Sequence, residues 1–287
     1  MRKIRRNKRN KRNKEIKDNK KAKRLNRLNR FNKLSAALRM LSSLNRSSFL
    51  ILIALFITSC DPAPWTNGKA ITETRWFDDT ITSLYVYDDI NVTLIEADTF
   101  RIEITTGENL MEKITSNISD NGLYLRNENI RLWARSYDYP LDIKVYHNSL
   151  THINYMSWGD LKSEGPISKD NIDKFNMIVE HGSGHIDLKL NCDTLILKSY
   201  DGTALISVAG SANYTDIYHN ARNDIHTENL VCKDAAAIID YEGSIYVNCT
   251  NKLTAEIRDF GNIYYKGEPQ IELSSHPQAK GKLLPME

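Results

Sequence analysis

Trp158-Gly-Asp-Leu161, Ser183-Gly-His-Ile186, Gly202-Thr-Ala-Leu205, Arg222-Asn-Asp-Ile225, Glu242-Gly-Ser-Ile245 and Phe260-Gly-Asn-Ile263 are six versions of one short phrase. Their closing apolar residues are 25, 19, 20, 20 and 18 positions apart. A period in this range marks a solenoid, in which each unit covers the apolar face of its neighbour. Alternating runs such as Asp193-Thr-Leu-Ile-Leu-Lys-Ser-Tyr200 make the unit β rather than α. The reading is therefore an all-β, parallel β-helix-like solenoid of about 20-residue rungs. Leu161, Ile186, Leu205, Ile225, Ile245 and Ile263 are expected to point inward and stack ~4.8 Å apart. Each such burial contributes ~1.5–3 kcal/mol.

Two residues before each closing residue stand Gly159, Gly184, Thr203, Asn223, Gly243 and Gly261. Glycine and asparagine enter left-handed conformations most cheaply, so these positions are expected to be left-handed corners. At Thr203, Gly202 is expected to take the turn. Upstream, strands are expected at 81–87, 91–96, 100–105, 114–119, 123–126, 141–146 and 150–155. A helical turn is expected at 109–114 and a hairpin turn at Asn121-Gly122.

The formal charge of +3 averages two unlike pieces. Residues 1–46 hold 19 Lys and Arg against Glu15 and Asp18, whereas the chain after Cys60 holds 20 basic and 34 acidic residues. The body is thus acidic and would repel nucleic acid. The basic block 1–39 reads as a disordered, low-complexity extension, with Met40 as an alternative start and an RNA-binding arm as the competing reading. Phe49–Ile57 is nine unbroken apolar residues, too short for a bilayer of ~30 Å but suited to a secretory signal. Residues 40–59 form the expected signal peptide and 60–75 a tether stiffened by Pro62 and Pro64. Ile57-Thr-Ser-Cys60 resembles a bacterial lipobox, which implies diacylglyceryl on the Cys60 thiol, cleavage before it, and a lipid-anchored place in the cell envelope at the outer membrane.

The body at 76–273 resembles the bacterial family called putative auto-transporter adhesin, head GIN domain. The matching phrases are His181-Gly-Ser-Gly-His-Ile186 and Phe260-Gly-Asn-Ile-Tyr-Tyr-Lys-Gly267, with Glu108-Asn-Leu110 and Asn121-Gly-Leu123 fitting the N-terminal half. The resemblance implies a right-handed parallel β-helix, frequently lipid-anchored and common in Bacteroidota envelopes, with no catalytic residue and no cofactor to carry over. Residues 274–287 are read as a tail that covers one end. Where the family's corner carries a small serine, this chain has Trp158, Arg222, Glu242 and Phe260. If the rungs are in register these four form a candidate ligand ridge along one edge, with Ser183 and Gly202 as a gap. The competing reading has Trp158 and Phe260 capping the ends or packed under loops.

Cys232 and Cys249 fall at nearly the same place on neighbouring rungs, within disulfide range. Small buried thiols fit equally well. His181 and His185 have ligand-like spacing but sit in a turn, without a thiol or fixed carboxylate, so no metal site is assigned. His147, His152, His219 and His226 read as surface or turn residues. Asp79-Thr80-Ile81 resembles an O-glycosylation acceptor known in Bacteroidota, at Thr80, and Asp193-Thr194-Leu195 repeats it inside a strand. Lyase or hydrolase chemistry on polysaccharide would need carboxylates aligned on adjacent rungs. The column before the closing residues is Asp160, His185, Ala204, Asp224, Ser244 and Asn262, an assorted set. A non-catalytic module that binds glycan or protein leads, ahead of an enzyme and of a structural partner for another envelope protein.

Overall fold

The computed structural model describes residues 66–78, 80–129 and 141–286, with only the backbone at 168–171. The basic extension, the signal peptide, Cys60 and Asp79 lie outside the described residues. The described chain is nearly all β. In order it forms β1 (Ala70–Trp76), β2 (Ser83–Asp88), β3 (Asn91–Glu96), β4 (Arg101–Gly107), a single turn α1 (Glu108–Met111), β5 (Ile114–Ser119) and β6 (Gly122–Asn127). After these come β7 (Asp142–His147), β8 (His152–Ser157), β9 (Leu161–Val179), β10 (His185–Ser199), β11 (Leu205–His219), β12 (Ile225–Ile239) and β13 (Ile245–Ile257). The last are β14 (Ile263–Lys266), β15 (Gln270–Ser275) and β16 (Leu283–Pro285). β1 occupies residues read as the end of a tether. β15 and β16 pair in parallel with β13 and β14, so residues after 273 continue the coil.

From β9 onward each long strand is one rung, and parallel pairing joins β9 to β10, β11, β12 and β13 in turn. Every rung bends once. In β10 the inward residues are Ile186, Leu188 and Leu190, then Leu195, Leu197 and Ser199, so the alternation changes phase across the bend. A rung therefore has two flat sides closed by a corner, and its inward residues stack on those of its neighbours.

One ladder runs Ile104, Ile143, Val92, Leu161, Ile186, Ile206, Ile225, Ile245, Ile263 and Leu283. A second, on the opposite side, runs Leu123, Leu84, Ile153, Met177, Leu197, Ile217, Ala237, Ala255 and Leu273. Five of the six expected ladder residues line up. Leu205 does not: it pairs with His185 and is 41% exposed, and Ile206 takes its place. The reason is corner length. Six residues separate Val179 from Ile186 and Ser199 from Ile206, against five at the three following corners. The extra residue is absorbed at positive φ, by His181 (55°) in one corner and Gly202 (105°) in the other.

The corner glycines have a different purpose from the expected one. Gly159, Gly184, Gly243 and Gly261 do not have positive φ. A Cβ on Gly184, Gly243, Gly261 or Gly281 would instead lie well under 3.0 Å from the carbonyl oxygen of Gly159, Asn223, Gly243 or Gly261 on the previous rung. Close approach, not handedness, excludes the side chain. The next residue is also structural. Asn91 Oδ1 accepts the Asp160 N–H at 2.9 Å, Asp160 Oδ1 the His185 N–H at 2.9 Å, Asp224 Oδ1 the Ser244 N–H at 2.8 Å and Asn262 Oδ1 the Lys282 N–H at 2.9 Å. Each staples one corner to the next, a contribution of about 1 kcal/mol.

The hairpin turn is one residue earlier than expected. Asp120 and Asn121 hold the positive φ values, 50° and 59°, and Gly122 already pairs with Ser119. Gly122 is required because a Cβ there would meet the Tyr85 ring at 2.8 Å. The N-terminal end is closed by β1, antiparallel to β4, and by buried Leu110 and Met111 of α1. At the other end Ile271 and Leu273 are 40% and 54% exposed. Two histidines read as surface residues are core: His147 is 1% and His219 0% exposed. Burial lowers both, His147 to about 4.

Two outcomes are expected. Gly261→Ala should push rungs apart and lower the melting temperature by about 4–12 °C, the equivalent of roughly 2–3 kcal/mol for a domain of this size. Gly165→Ala, with nothing within 4 Å of its Cβ, should be close to neutral. The second outcome concerns pH. Unfolded histidine takes up its proton near 6.5 while native His147 resists to about 4, so the unfolded state binds more protons in that window. Stability should fall as pH drops from about 6.5 to about 4, with His147 contributing roughly 3 kcal/mol of the loss. Denaturant midpoints across this range should show the fall, and His147→Gln should flatten it.

Candidate functional site

The position three residues before the ladder residue is exposed in every rung: Trp158, Ser183, Thr203, Arg222, Glu242, Phe260 and Lys280. The residue beside it is pressed against the rung below, so this one points away from the core. Trp158 and Phe260 are 63% and 53% exposed; neither caps an end nor packs under a loop. Five rungs separate them, about 24 Å along the axis. Between them Arg222 Nε lies 3.2 Å from Glu242 Oε2, and Arg222 Nη2 donates to the Tyr241 hydroxyl at 3.2 Å. Lys280 Nζ sits 5.0 Å from the Phe260 ring centroid. Exposed ion pairs of this kind contribute about 0–1 kcal/mol, so the edge adds little to stability. Thr203, rather than Gly202, shares the gap with Ser183 because of the one-residue shift at that corner.

His181 and His185 are drawn apart. His181 Nδ1 lies 3.1 Å from Asp201 Oδ2 on the following rung, and His185 Nδ1 lies 3.3 Å from Asp160 Oδ1 on the preceding one. Among the described residues no three His, Cys, Asp or Glu side chains are grouped to hold a metal ion. His226 stacks on Tyr246 at 4.5 Å and Tyr246 on Tyr264 at 4.8 Å, with interplanar angles of 11° and 8°. Their faces cover one another, so this column offers ring edges to a ligand rather than a stacking platform. The column weighed for catalysis is the one whose Asp and Asn oxygens accept backbone N–H groups, which gives those carboxylates a structural task.

Cys232 and Cys249 are register partners on neighbouring rungs, and both are buried. Cys232 Sγ lies 3.1 Å from the Asn248 carbonyl oxygen, and Cys249 Sγ lies 3.1 and 2.9 Å from those of Lys233 and Lys252, alternative acceptors for its one S–H. The hydrogen bond between the thiols lowers Cys249 to about 7 and, with burial, raises Cys232. Cys192 pairs with Ala212, and burial pushes it up to about 11. Thr80 is exposed outside any strand, whereas Thr194 is half-buried within β10.

A cleft of about 450 Å³ was not anticipated. It lies where β9 carries its excess: Ile167 and Ile172 pair with Leu190 and Cys192, five residues spanning the space of two. Leu150, Ile167, Ile172 and His147 line it with the hydroxyl-bearing Thr82 and Thr151. The Nε2 of His147 has no hydrogen-bond partner. The 25-residue step was the available signal, since a longer step has to bulge somewhere.

Solved structures with this architecture include a putative adhesin from Bacteroides fragilis, 21% identical, with a TM-score of 0.68 over 77% of this chain and 99% of that one. A putative adhesin from Parabacteroides merdae is 21% identical, with a TM-score of 0.57 over 77% and 98%. A structure described as a putative lipid binding protein from Parabacteroides distasonis is 19% identical, with a TM-score of 0.60 over 77% and 98%. No curated protein matches the chain. The profile of one family matches residues 81–269, from β2 through the turn after β14. The chain belongs to the family described as putative auto-transporter adhesin, head GIN domain.

Proposed function

We propose that the protein is a non-catalytic binding module of the cell envelope, anchored through lipid on Cys60 at the outer membrane, that contacts glycan or protein along its corner edge. The observation that carries this reading is the exposure of Trp158 and Phe260 on one edge, where they do little for the fold. Large apolar side chains held in water without a packing role are characteristic of contact surfaces. The lipobox-like Ile57-Thr-Ser-Cys60 after nine apolar residues supports the anchor, and the adhesin description of the family supports the binding role. The acidic body argues against nucleic acid as the partner. Exposure of Thr80 is compatible with O-glycosylation there.

Cells displaying the protein should bind a glycan array or a partner surface, and Trp158→Ala with Phe260→Ala should weaken that binding at least tenfold without changing the melting temperature. Undiminished binding would discard the edge. In the same cells Cys60→Ala should release the protein from the membrane fraction.

A second proposal concerns redox state. In the oxidising envelope Cys232 and Cys249 join as a disulfide, their two protons and two electrons passing to the disulfide of an envelope dithiol oxidase. The register pairing of the two cysteines supports it. Intact mass should rise by two hydrogens on reduction, and Cys232→Ser should abolish the change.

A further inference from the structure

The corner edge is interrupted by a notch of about 400 Å³. Ala221 is its floor: a small, buried residue placed where β11 leaves the rung. Asn220 and Arg222 flank Ala221 on the same rung. Tyr200, Asp201 and Thr203 come from the rung below and Tyr241 from the rung above, so the tyrosines are about 10 Å apart along the axis. The notch exists because the corner at 200–205 carries its extra residue on Gly202 at positive φ, which leaves no side chain beside Thr203.

We infer that this notch is a binding site for one uncharged pyranose unit of a saccharide. The inference rests on the reading that the corner edge is a contact surface, and it adds the class of ligand. Charge decides the class first. The two ionic groups in the notch are already engaged: Arg222 with Glu242 at 3.2 Å, and Asp201 with the Gly202 N–H at 2.7 Å and with His181 at 3.1 Å. An anionic or cationic ligand would have to displace one of these pairs. The unspent polarity is neutral: the Asn220 amide and the Thr203 and Tyr200 hydroxyls. They ring the floor and suit several hydroxyls on one small molecule rather than a single polar head. The apolar part is the Tyr200 ring, 39% exposed, at one end of the notch; at the other end the half-buried Tyr241 ring carries the Arg222 guanidinium 5.6 Å from its centroid. A tyrosine ring takes the C–H face of a pyranose and leaves its hydroxyls to the Asn220 amide and the Thr203 hydroxyl. A volume of a few hundred Å³ suits a monosaccharide unit. Glu242 and Phe260 continue the same exposed edge beyond the notch, so a longer glycan can extend past its first residue.

The test uses saturation-transfer NMR on the full-length protein in a zwitterionic, sugar-free detergent. The probes are methyl glycosides of mannose, galactose, glucose and N-acetylglucosamine, and glucuronic acid as the charged control. At least one neutral glycoside should receive saturation. Asn220→Ala should reduce its affinity at least fivefold, and Tyr200→Ala at least tenfold, with the melting temperature unchanged. Phe260→Ala, outside the notch, should leave monosaccharide binding intact. If no neutral glycoside binds while the edge still captures a surface in a Trp158- and Phe260-dependent way, the notch assignment is wrong and the contact edge stands. Tighter binding of glucuronate than of every neutral glycoside overturns the uncharged class. Capture of a protein that Asn220→Ala and Tyr200→Ala do not weaken also overturns the assignment.

Discussion

Corner-to-corner approach at strand spacing is the constraint on which the structure rests. Each corner presents a carbonyl oxygen to the corner above, and the receiving position at Gly184, Gly243, Gly261 and Gly281 has no room for a Cβ. The neighbouring Asp or Asn then fixes the spacing with a side-chain hydrogen bond to the next rung's N–H, as Asp224 does to Ser244. With the corners set, the strand that leaves each one starts in register, and Ile206, Ile225, Ile245 and Ile263 fall over one another. Stability in such a stack is a sum of rung and interface terms, so one wrong corner weakens the two interfaces it touches.

The repeat was legible because its causes are local in sequence. A position that is glycine in four of the six phrases, one that is Asp or Asn in three and one that is always apolar are adjacent, and the phrase returns every 18 to 20 positions in the regular rungs. The departures from the expected pattern have the same origin. Leu205 and Ile206 are both apolar and differ only in which side of the strand they face, and a one-residue change in corner length decides that. Glycine at the corner was legible as glycine, but left-handed backbone and close approach leave the same letter in the chain. The register of the hairpin was misplaced by one residue because Asn121-Gly122 has the composition of a turn, and the Tyr85 ring that demands Gly122 is far away in sequence. His147 and His219 read as polar letters. Their burial follows from their place on the inward side of β7 and β11, which requires knowing the register first.

The site was legible only as a departure from a pattern. Trp158, Arg222, Glu242 and Phe260 stood out because a small residue is the expectation at that corner position. What the sequence could not contain is the space between them. The notch over Ala221 is made by residues from three rungs, Tyr200, Asn220 and Tyr241, about 20 positions apart and brought together by stacking alone. The cleft beside His147 depends likewise on how β9 distributes its surplus residues against β10.

The same geometry explains why the proposed contact edge costs the fold little. At each corner the residue two before the ladder is shut against the rung below, which forces the residue three before it outward. That outward residue touches no core atom, and replacing it changes neither the corner approach nor the ladder. Every turn therefore adds one unconstrained side chain to a straight row at ~4.8 Å spacing, and the length of the row grows with the number of rungs. A row whose backbone is already fixed loses only side-chain freedom when a ligand lies along it, which favours extended, repetitive ligands over compact ones. The outer faces of the flat sides are less suited to the task, because there the neighbouring rings of His226, Tyr246 and Tyr264 already satisfy one another.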